Sequence, residues 1–121
     1  SDAWCQLGYA FDEQNGRPCE ASFEPYTRCI ALDPKHAKAH NNLGLVLQYV
    51  RKDYDGAEKL FRKAIELNPK YANASWSLSA LLEVHKNDIP GAIEFTEKYI
   101  QAGNPDNDGE QRLATLRAKL K

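Results

Sequence analysis

The chain offers few side chains with obvious chemistry, and these are three cysteines and a pair of histidines. His36 and His40 stand four residues apart, a spacing that can direct two imidazoles at one metal ion. No Cys, Asp or Glu at ligand spacing completes that set, so the sequence predicts no metal site. No histidine can be argued to lie beside Cys5 and activate it as a nucleophile. We expect Cys19 in an exposed turn and Cys29 among packing residues.

The cysteine count also bears on disulfides and on the compartment. Three cysteines are odd in number and unevenly spaced, so no disulfide framework can be read from them. A reducing, intracellular and cytoplasmic location is the resulting expectation. The seven glycines never cluster into a phosphate-binding loop. We therefore expect no catalytic residues, no cofactor and no enzymatic activity.

Charge and hydropathy exclude two classes of partner. The chain of 121 residues has 16 Lys and Arg against 17 Asp and Glu, a formal net charge of −1. A nucleic-acid surface needs a surplus of cations, so nucleic acid is not an expected partner. No apolar run approaches the length that spans a bilayer, so no membrane partner is expected either. The length suits a single domain.

An internal repeat supplies the elements that would position any site. Pro34, Pro69 and Pro105 lie 35 and 36 residues apart, and each follows two stretches with helical spacing of apolar residues. We predict an all-α solenoid of three helical pairs at 1–36, 37–71 and 72–105, closed by a capping helix at 106–121. The third position of each first-helix stripe is small, which predicts close approach of the second helix. The stripes are Trp4, Leu7, Gly8 and Phe11; His40, Leu43, Gly44 and Leu47; and Ser75, Leu78, Ser79 and Leu82.

Local signals mark where the second helices begin. Asp53 and Asp88 are predicted N-caps, because a short carboxylate can accept from backbone amides in the first turn. Pro25 lies inside the second helix of the first pair and should kink or delay it.

These motifs resemble the tetratricopeptide repeat (TPR) family, whose outline is W-x2-L-G-x2-Y, then A-x3-F, then P. The first unit reads Trp4-x2-Leu7-Gly8-x2-Phe11, Ser22-x3-Tyr26 and Pro34; the second reads His40-x2-Leu43-Gly44-x2-Leu47, Ala57-x3-Phe61 and Pro69; the third reads Ser75-x2-Leu78-Ser79-x2-Leu82, Ala92-x3-Thr96 and Pro105. The resemblance implies a right-handed α-solenoid whose first helices line a concave groove. It further implies a partner that is a protein or a peptide.

The groove wall implied by the resemblance is aromatic and rich in amides. Asn42 occupies the position where many peptide-binding members have an asparagine that reaches the ligand backbone. Side-chain pockets would come from rings and one leucine, and polar support from flanking residues. The pocket residues are Tyr9, Tyr49, Trp76 and Leu45, and the supporting residues are Gln6, Lys38 and Asn73. Two alternatives stay open: Trp76 could serve only as core beside Ser75, and Tyr9 and Tyr49 could be surface rings without a ligand.

A finer comparison concerns members of the family that hold acidic chaperone tails. Their two-carboxylate clamp uses Lys and Asn, then Asn, then Lys and Arg in successive repeats. Only Asn42 agrees among the matching positions, so we predict no tight chaperone-tail binding. The matching positions are Cys5, Tyr9, Asn42, Asn73 and Ser77.

The sequence thus predicts a non-catalytic module that binds a protein segment in its groove. The alternative is a structural scaffold that self-associates or stacks with further repeats of a larger parent protein.

Overall fold

The computed structural model describes residues 2–103 and 108–120, and the regular structure in that part of the chain is entirely helical. The predicted Pro105 and the first residues of the predicted cap lie outside the described residues. A short 3₁₀ turn precedes α2, and a π-helical turn extends α3. The helices are α1 (Asp2–Asn15), α2 (Phe23–Leu32), α3 (Ala37–Val46), α4 (Tyr54–Leu67), α5 (Ala72–Val84), α6 (Ile89–Gln101) and α7 (Asp108–Lys119).

The seven helices pack as a stack of pairs. Each helix contacts the next one along the chain, and α3 also contacts α5, so first helices of successive repeats lie side by side. The predicted all-α architecture of three helical pairs and a seventh helix is confirmed. None of these helices is long and apolar enough to cross a membrane.

Close glycine–aromatic contacts fix the first two pairs. A Cβ atom at Gly8 would stand 2.5 Å from Cε1 of Tyr26, and one at Gly44 would stand 2.6 Å from Cε1 of Phe61. Real Cβ atoms do not approach carbon so closely, and both rings are fully buried. The predicted close approach is therefore real: the rings of the second helices pack directly on the backbone of the first helices.

The third pair replaces that contact with hydrogen bonds. The hydroxyls of Ser79 and Thr96 lie 2.6 Å apart, and both lie within hydrogen-bond distance of the Ala92 carbonyl oxygen. All three residues are fully buried. Buried hydroxyls need such partners, so the weaker third copy of the motif keeps its tight spacing by different chemistry.

Both predicted N-caps are confirmed. The carboxylate of Asp53 accepts from the amide of Gly56, and that of Asp88 accepts from the amide of Gly91, each at 3.0 Å. The residue before each cap, Lys52 or Asn87, has positive φ. The turns inside the second and third pairs are thus built alike.

Pro25 delays its helix and does not kink it. The chain forms the 3₁₀ turn Glu20–Ser22 first, and α2 then begins at Phe23. Pro25 therefore occupies the first turn of α2. Because backbone N–H groups in the first turn have no intrahelical acceptor, a proline there costs the helix no hydrogen bond.

A disulfide corrects the expectation drawn from the cysteines. Cys5 and Cys29 are bonded, with 5.1 Å between their Cα atoms, and this bond ties α1 to α2. Both are buried, so Cys5 faces the α1–α2 seam and not the groove. Cys19 is the free cysteine and is half-buried.

Helix α7 covers the end of the third pair through one leucine and an ion-pair cluster. Leu116 is fully buried in the main core, whereas Leu120 is 57% exposed. The Glu83 carboxylate, on α5, pairs with Arg112 at 2.8 Å and with Lys119 at 2.5 Å. Because Arg112 and Glu83 are both largely buried, removal of either partner would leave the other poorly compensated.

Candidate peptide-binding groove

The structure brings four of the eight predicted groove residues around one cavity of about 540 Å³ between α1 and α3. We call this cavity the Tyr9 pocket. Further residues complete its wall, including the turn that follows α1. The predicted residues are Tyr9, Lys38, Asn42 and Leu45, and the others are Asp12, Glu13, Gly16, Arg17, Pro18 and Tyr26.

The Tyr9 ring is held in place on three sides. It is tilted by 51° against the Tyr26 ring, with 5.8 Å between the centroids. Its hydroxyl lies 3.2 Å from Nε2 of His36, and the ammonium of Lys38 lies 4.3 Å from the ring centroid. A half-buried ring fixed in this way can contact a ligand without losing further side-chain entropy.

The Asn42 amide belongs to a chain of hydrogen bonds that orients it. Its Nδ2 donates to the Tyr26 hydroxyl at 3.4 Å, and its Oδ1 accepts from Nδ2 of Asn41 at 3.3 Å. An amide has two N–H groups and two lone pairs. These two bonds use one of each, so the amide keeps one donor and one acceptor for a peptide backbone.

Asp12 anchors this hydrogen-bond chain. Its carboxylate accepts from the Tyr26 hydroxyl at 2.5 Å and from the hydroxyl of Ser22. Burial, followed by the hydrogen bond and the charge of Asp12, raises the pKa of the Tyr26 hydroxyl well above its usual range. Tyr26 therefore stays a neutral donor to Asp12, and its oxygen stays available to Asn42. Asp12 lies three residues after Tyr9 and four after Gly8, so a helix places all three on one side. This spacing was the sequence signal available for Asp12.

Trp76 lies apart from the Tyr9 pocket, against the capping helix. Its ring centroid is 4.8 Å from that of Tyr99, and the Arg112 guanidinium is 5.0 Å from its ring. Arg112 also donates to the Ser79 hydroxyl at 3.0 Å. Trp76 and Arg112 border a second cavity, of about 350 Å³, between α5 and α7. The ring is half-buried, so it has both a packing face and an open face.

Tyr49 borders a third cavity. It is 53% exposed on the π-helical turn and lines a space of about 610 Å³ with the turn after α1. Arg17 and Pro18 line both this space and the Tyr9 pocket, so the two cavities adjoin. A bound segment could therefore pass from one to the other along this turn.

The two remaining predicted residues, Gln6 and Asn73, line none of these three cavities. Both are exposed. Burial raises the pKa of the Tyr71 hydroxyl, and the neighbouring side chains of Asn73 and Asn41 lower it in part. Asn73 thus lies near Tyr71, whereas Gln6 is simply presented to solvent.

The clamp positions present no cationic pair. Cys5 is buried in the disulfide, and Asn73 and Ser77 carry no charge. The cations beside the Tyr9 pocket are Lys38 and Arg17, where Asp12 and Glu13 also lie. Charges of both signs therefore surround the pocket.

Comparison with known proteins gives a family match for one of the repeats. The family model described as the tetratricopeptide repeat matches residues 37–71. No curated protein matches the sequence. The second repeat therefore matches the tetratricopeptide repeat family, and the fold of the described residues is that of TPR domains.

Three solved TPR structures show how far the likeness extends. The first TPR domain of Spaghetti (RPAP3), bound to the HSP90 peptide SRMEEVD, is 18% identical with a TM-score of 0.82, over 98% of this chain and 90% of that one. The Sgt2 TPR domain from Aspergillus fumigatus is 24% identical with a TM-score of 0.81, over 98% and 78%. YrrB, a TPR protein with an unusual peptide-binding site, is 26% identical with a TM-score of 0.70, over 78% and 48%. At these identities the likeness establishes the fold.

Proposed function

We propose that this chain is a non-catalytic protein-interaction module that binds an extended peptide segment of another protein at the Tyr9 pocket. The observation that carries the proposal is the Asn42 amide, which borders the pocket and is oriented by Tyr26 and Asn41. One free N–H and one free lone pair match the alternating acceptors and donors of a peptide backbone. Tyr9 and Leu45 supply apolar surface beside it.

Support for a peptide ligand also comes from the fold neighbours. The RPAP3 domain holds an HSP90 peptide, and YrrB has a peptide-binding site. The mixed charges around the Tyr9 pocket favour a peptide without a strong acidic bias. A chain lacking cationic side chains at Cys5, Asn73 and Ser77 would bind terminal carboxylates without charge-assisted partners. We therefore propose recognition that does not use a two-carboxylate clamp.

A selection from a displayed library of linear peptides tests this proposal. The tightest-binding peptide is then titrated against the wild type, Asn42→Ala and the matched control Gln14→Ala. Gln14 is an exposed amide on α1, which is the first helix of its pair as α3 is of the next. Loss of two neutral hydrogen bonds should weaken binding about tenfold or more in Asn42→Ala and leave Gln14→Ala unchanged. If no peptide is enriched, or if Asn42→Ala binds as well as Gln14→Ala, the proposal is wrong.

A scaffold is the second candidate function, and exposed leucines at the two ends of the stack favour it. Leu7 on α1 is 40% exposed, and Leu120 after α7 is 57% exposed. Sedimentation equilibrium would show concentration-dependent association that Leu7→Asp or Leu120→Asp abolishes without loss of helicity. A monomer at all concentrations would contradict self-association.

A further inference from the structure

Three metal-ligating side chains from three separate elements converge inside the first repeat. Cys5 comes from α1, Cys29 from α2 and His36 from the residue that precedes α3. One ligand atom from each lies within 4.8 Å of the other two. The sequence placed His36 beside His40 and beside no cysteine, so this cluster is a product of the helix packing.

The spacing suits a tetrahedral zinc ion once the cysteines are thiols. Zn–S bonds of about 2.3 Å and Zn–N bonds of about 2.0 Å put neighbouring ligand atoms roughly 3.3 to 3.8 Å apart. The three atoms already lie within 4.8 Å, and the Cα atoms of Cys5 and Cys29 are 5.1 Å apart. Reduction would let the two sulfurs separate, and a side-chain movement of about 1 Å would bring the imidazole to ligand spacing.

We propose that, when the Cys5–Cys29 disulfide is reduced, the two thiolates and the His36 imidazole bind one Zn²⁺ ion, with water as the fourth ligand. A dithiol reductant supplies two electrons and two protons; it becomes a disulfide, and the Cys5–Cys29 bond becomes two thiols. Zinc binding then releases two protons to solvent as the thiols become thiolates. The disulfide and the metal are alternative ways of joining α1 to α2.

The surroundings match the charge of such a site. Zn²⁺ with two thiolates and a neutral imidazole is uncharged overall, so it suits a largely apolar pocket. Both cysteines are buried, and the packing around them comes from Ala39, with Trp4, Tyr9 and Ile30 beside it. A borderline-soft cation with a preference for sulfur and nitrogen is the class that this donor set selects.

The hydrogen bonds of His36 indicate its tautomer and an outer-shell partner. Nδ1 now accepts from the Ala39 amide, and Nε2 lies 3.2 Å from the Tyr9 hydroxyl. With Nδ1 on zinc, the proton resides on Nε2 and is donated to Tyr9, the arrangement usual for zinc-bound histidines. The Ala39 amide then loses its side-chain cap, so α3 frays slightly at its start when metal binds.

The experiment compares zinc binding by the reduced and the oxidised chain. The protein is reduced with a phosphine, which leaves no competing thiol, and is titrated with Co²⁺ and then with Zn²⁺ against a chromophoric chelator. Reduced wild type should bind one ion per chain, with thiolate-to-cobalt charge transfer and the absorption of tetrahedral cobalt. The oxidised chain should bind none.

Matched variants distinguish the proposed zinc ligands from residues that do not bind the ion. His36→Asn keeps a side-chain acceptor for the Ala39 amide, so folding is preserved while the ligand is lost. We expect His36→Asn and Cys29→Ser to weaken zinc binding more than about 100-fold, and Tyr9→Phe to weaken it roughly tenfold as an outer-shell loss. Cys19→Ser and His85→Gln, both outside the cluster, should bind like the wild type.

Two results would overturn the proposal. One is a reduced wild type that takes up no zinc under conditions where the chelator releases it. The other is a His36→Asn variant, helical by circular dichroism, that binds zinc as tightly as the wild type. Should Cys29→Ser fail to fold, His36→Asn alone decides the outcome.

Discussion

At the residue scale, a few direct contacts explain why this sequence keeps its helices close together. Gly44 lies under Phe61 as Gly8 lies under Tyr26, so a side chain larger than hydrogen would displace a buried ring. This feature could be predicted from sequence, because a small residue followed by an aromatic residue 18 or 17 positions later recurs in the first two repeats. The convergence of Cys5 with His36 could not, because it depends on how far α1 is rotated about its own axis.

Gly44→Ala should therefore destabilise the chain. The new methyl group would stand 2.6 Å from Phe61, and overpacking of this kind costs about 1 to 3 kcal/mol. Urea unfolding measures the loss, and Gly44→Ala/Phe61→Leu should recover part of it because the smaller side chain makes room. A loss below about 0.5 kcal/mol for Gly44→Ala would contradict the packing account.

Tyr26 gives the folded state a dependence on alkaline pH. Its pKa is raised by folding above the value of about 10 for an unfolded tyrosine. The resulting stability is fully present below pH about 10 and falls as pH rises further, because the unfolded chain releases the proton more readily. Denaturation at a series of pH values should show this fall, and Tyr26→Phe should flatten it. An equal fall in both proteins would show that Tyr26 is not its source.

At the element scale, α7 is attached to the third pair by more than apolar contact. Leu116 is buried, and Arg112 bonds Glu83 and Ser79 while its guanidinium covers the Trp76 ring. An amphipathic cap could be predicted from its leucines. The position of Arg112 beside Trp76 could not, since it depends on the angle at which α7 crosses α5.

Arg112→Ala should loosen α7 and lower stability by about 1 to 3 kcal/mol, because it leaves the largely buried Glu83 with a single cation. Arg117→Ala is the matched control, since Arg117 is exposed on the same helix, and it should change stability by less than about 0.5 kcal/mol. Hydrogen exchange of the α7 amides provides a local measure. Equal effects of the two substitutions would refute the role given to Arg112.

At the scale of the whole molecule, the repeat determines the fold, and side chains outside the repeat motif supply most of the Tyr9 pocket. The order of the helices follows from the repeat period and from the residues that begin and end each helix, so it was predictable from sequence. The site was only partly predictable: Tyr9, Lys38, Asn42 and Leu45 share a pocket, whereas Trp76 and Tyr49 border separate cavities. The helical wheel gives the face of each helix, but not which turns and caps close over that face.

The absence of matching cations at the clamp positions leads to a prediction about chaperone tails. The peptide SRMEEVD should bind the wild type weakly, because each missing charge-assisted hydrogen bond forfeits about 1.5 to 3 kcal/mol. Asn73→Lys/Ser77→Arg should bind it at least tenfold more tightly in a fluorescence titration. Low-micromolar binding by the wild type that is lost in Asn42→Ala would contradict the prediction.

The most direct test of the central claim, that a peptide is bound at the Tyr9 pocket, is amide chemical-shift mapping by NMR. The library-selected peptide is added stepwise to the labelled chain. We predict that the largest shifts occur at Tyr9, Lys38, Asn42 and Leu45 and in the turn at Arg17, with little change along α4 and α6. Shifts concentrated on α4 and α6, with the Tyr9 pocket unperturbed at saturation, would contradict it.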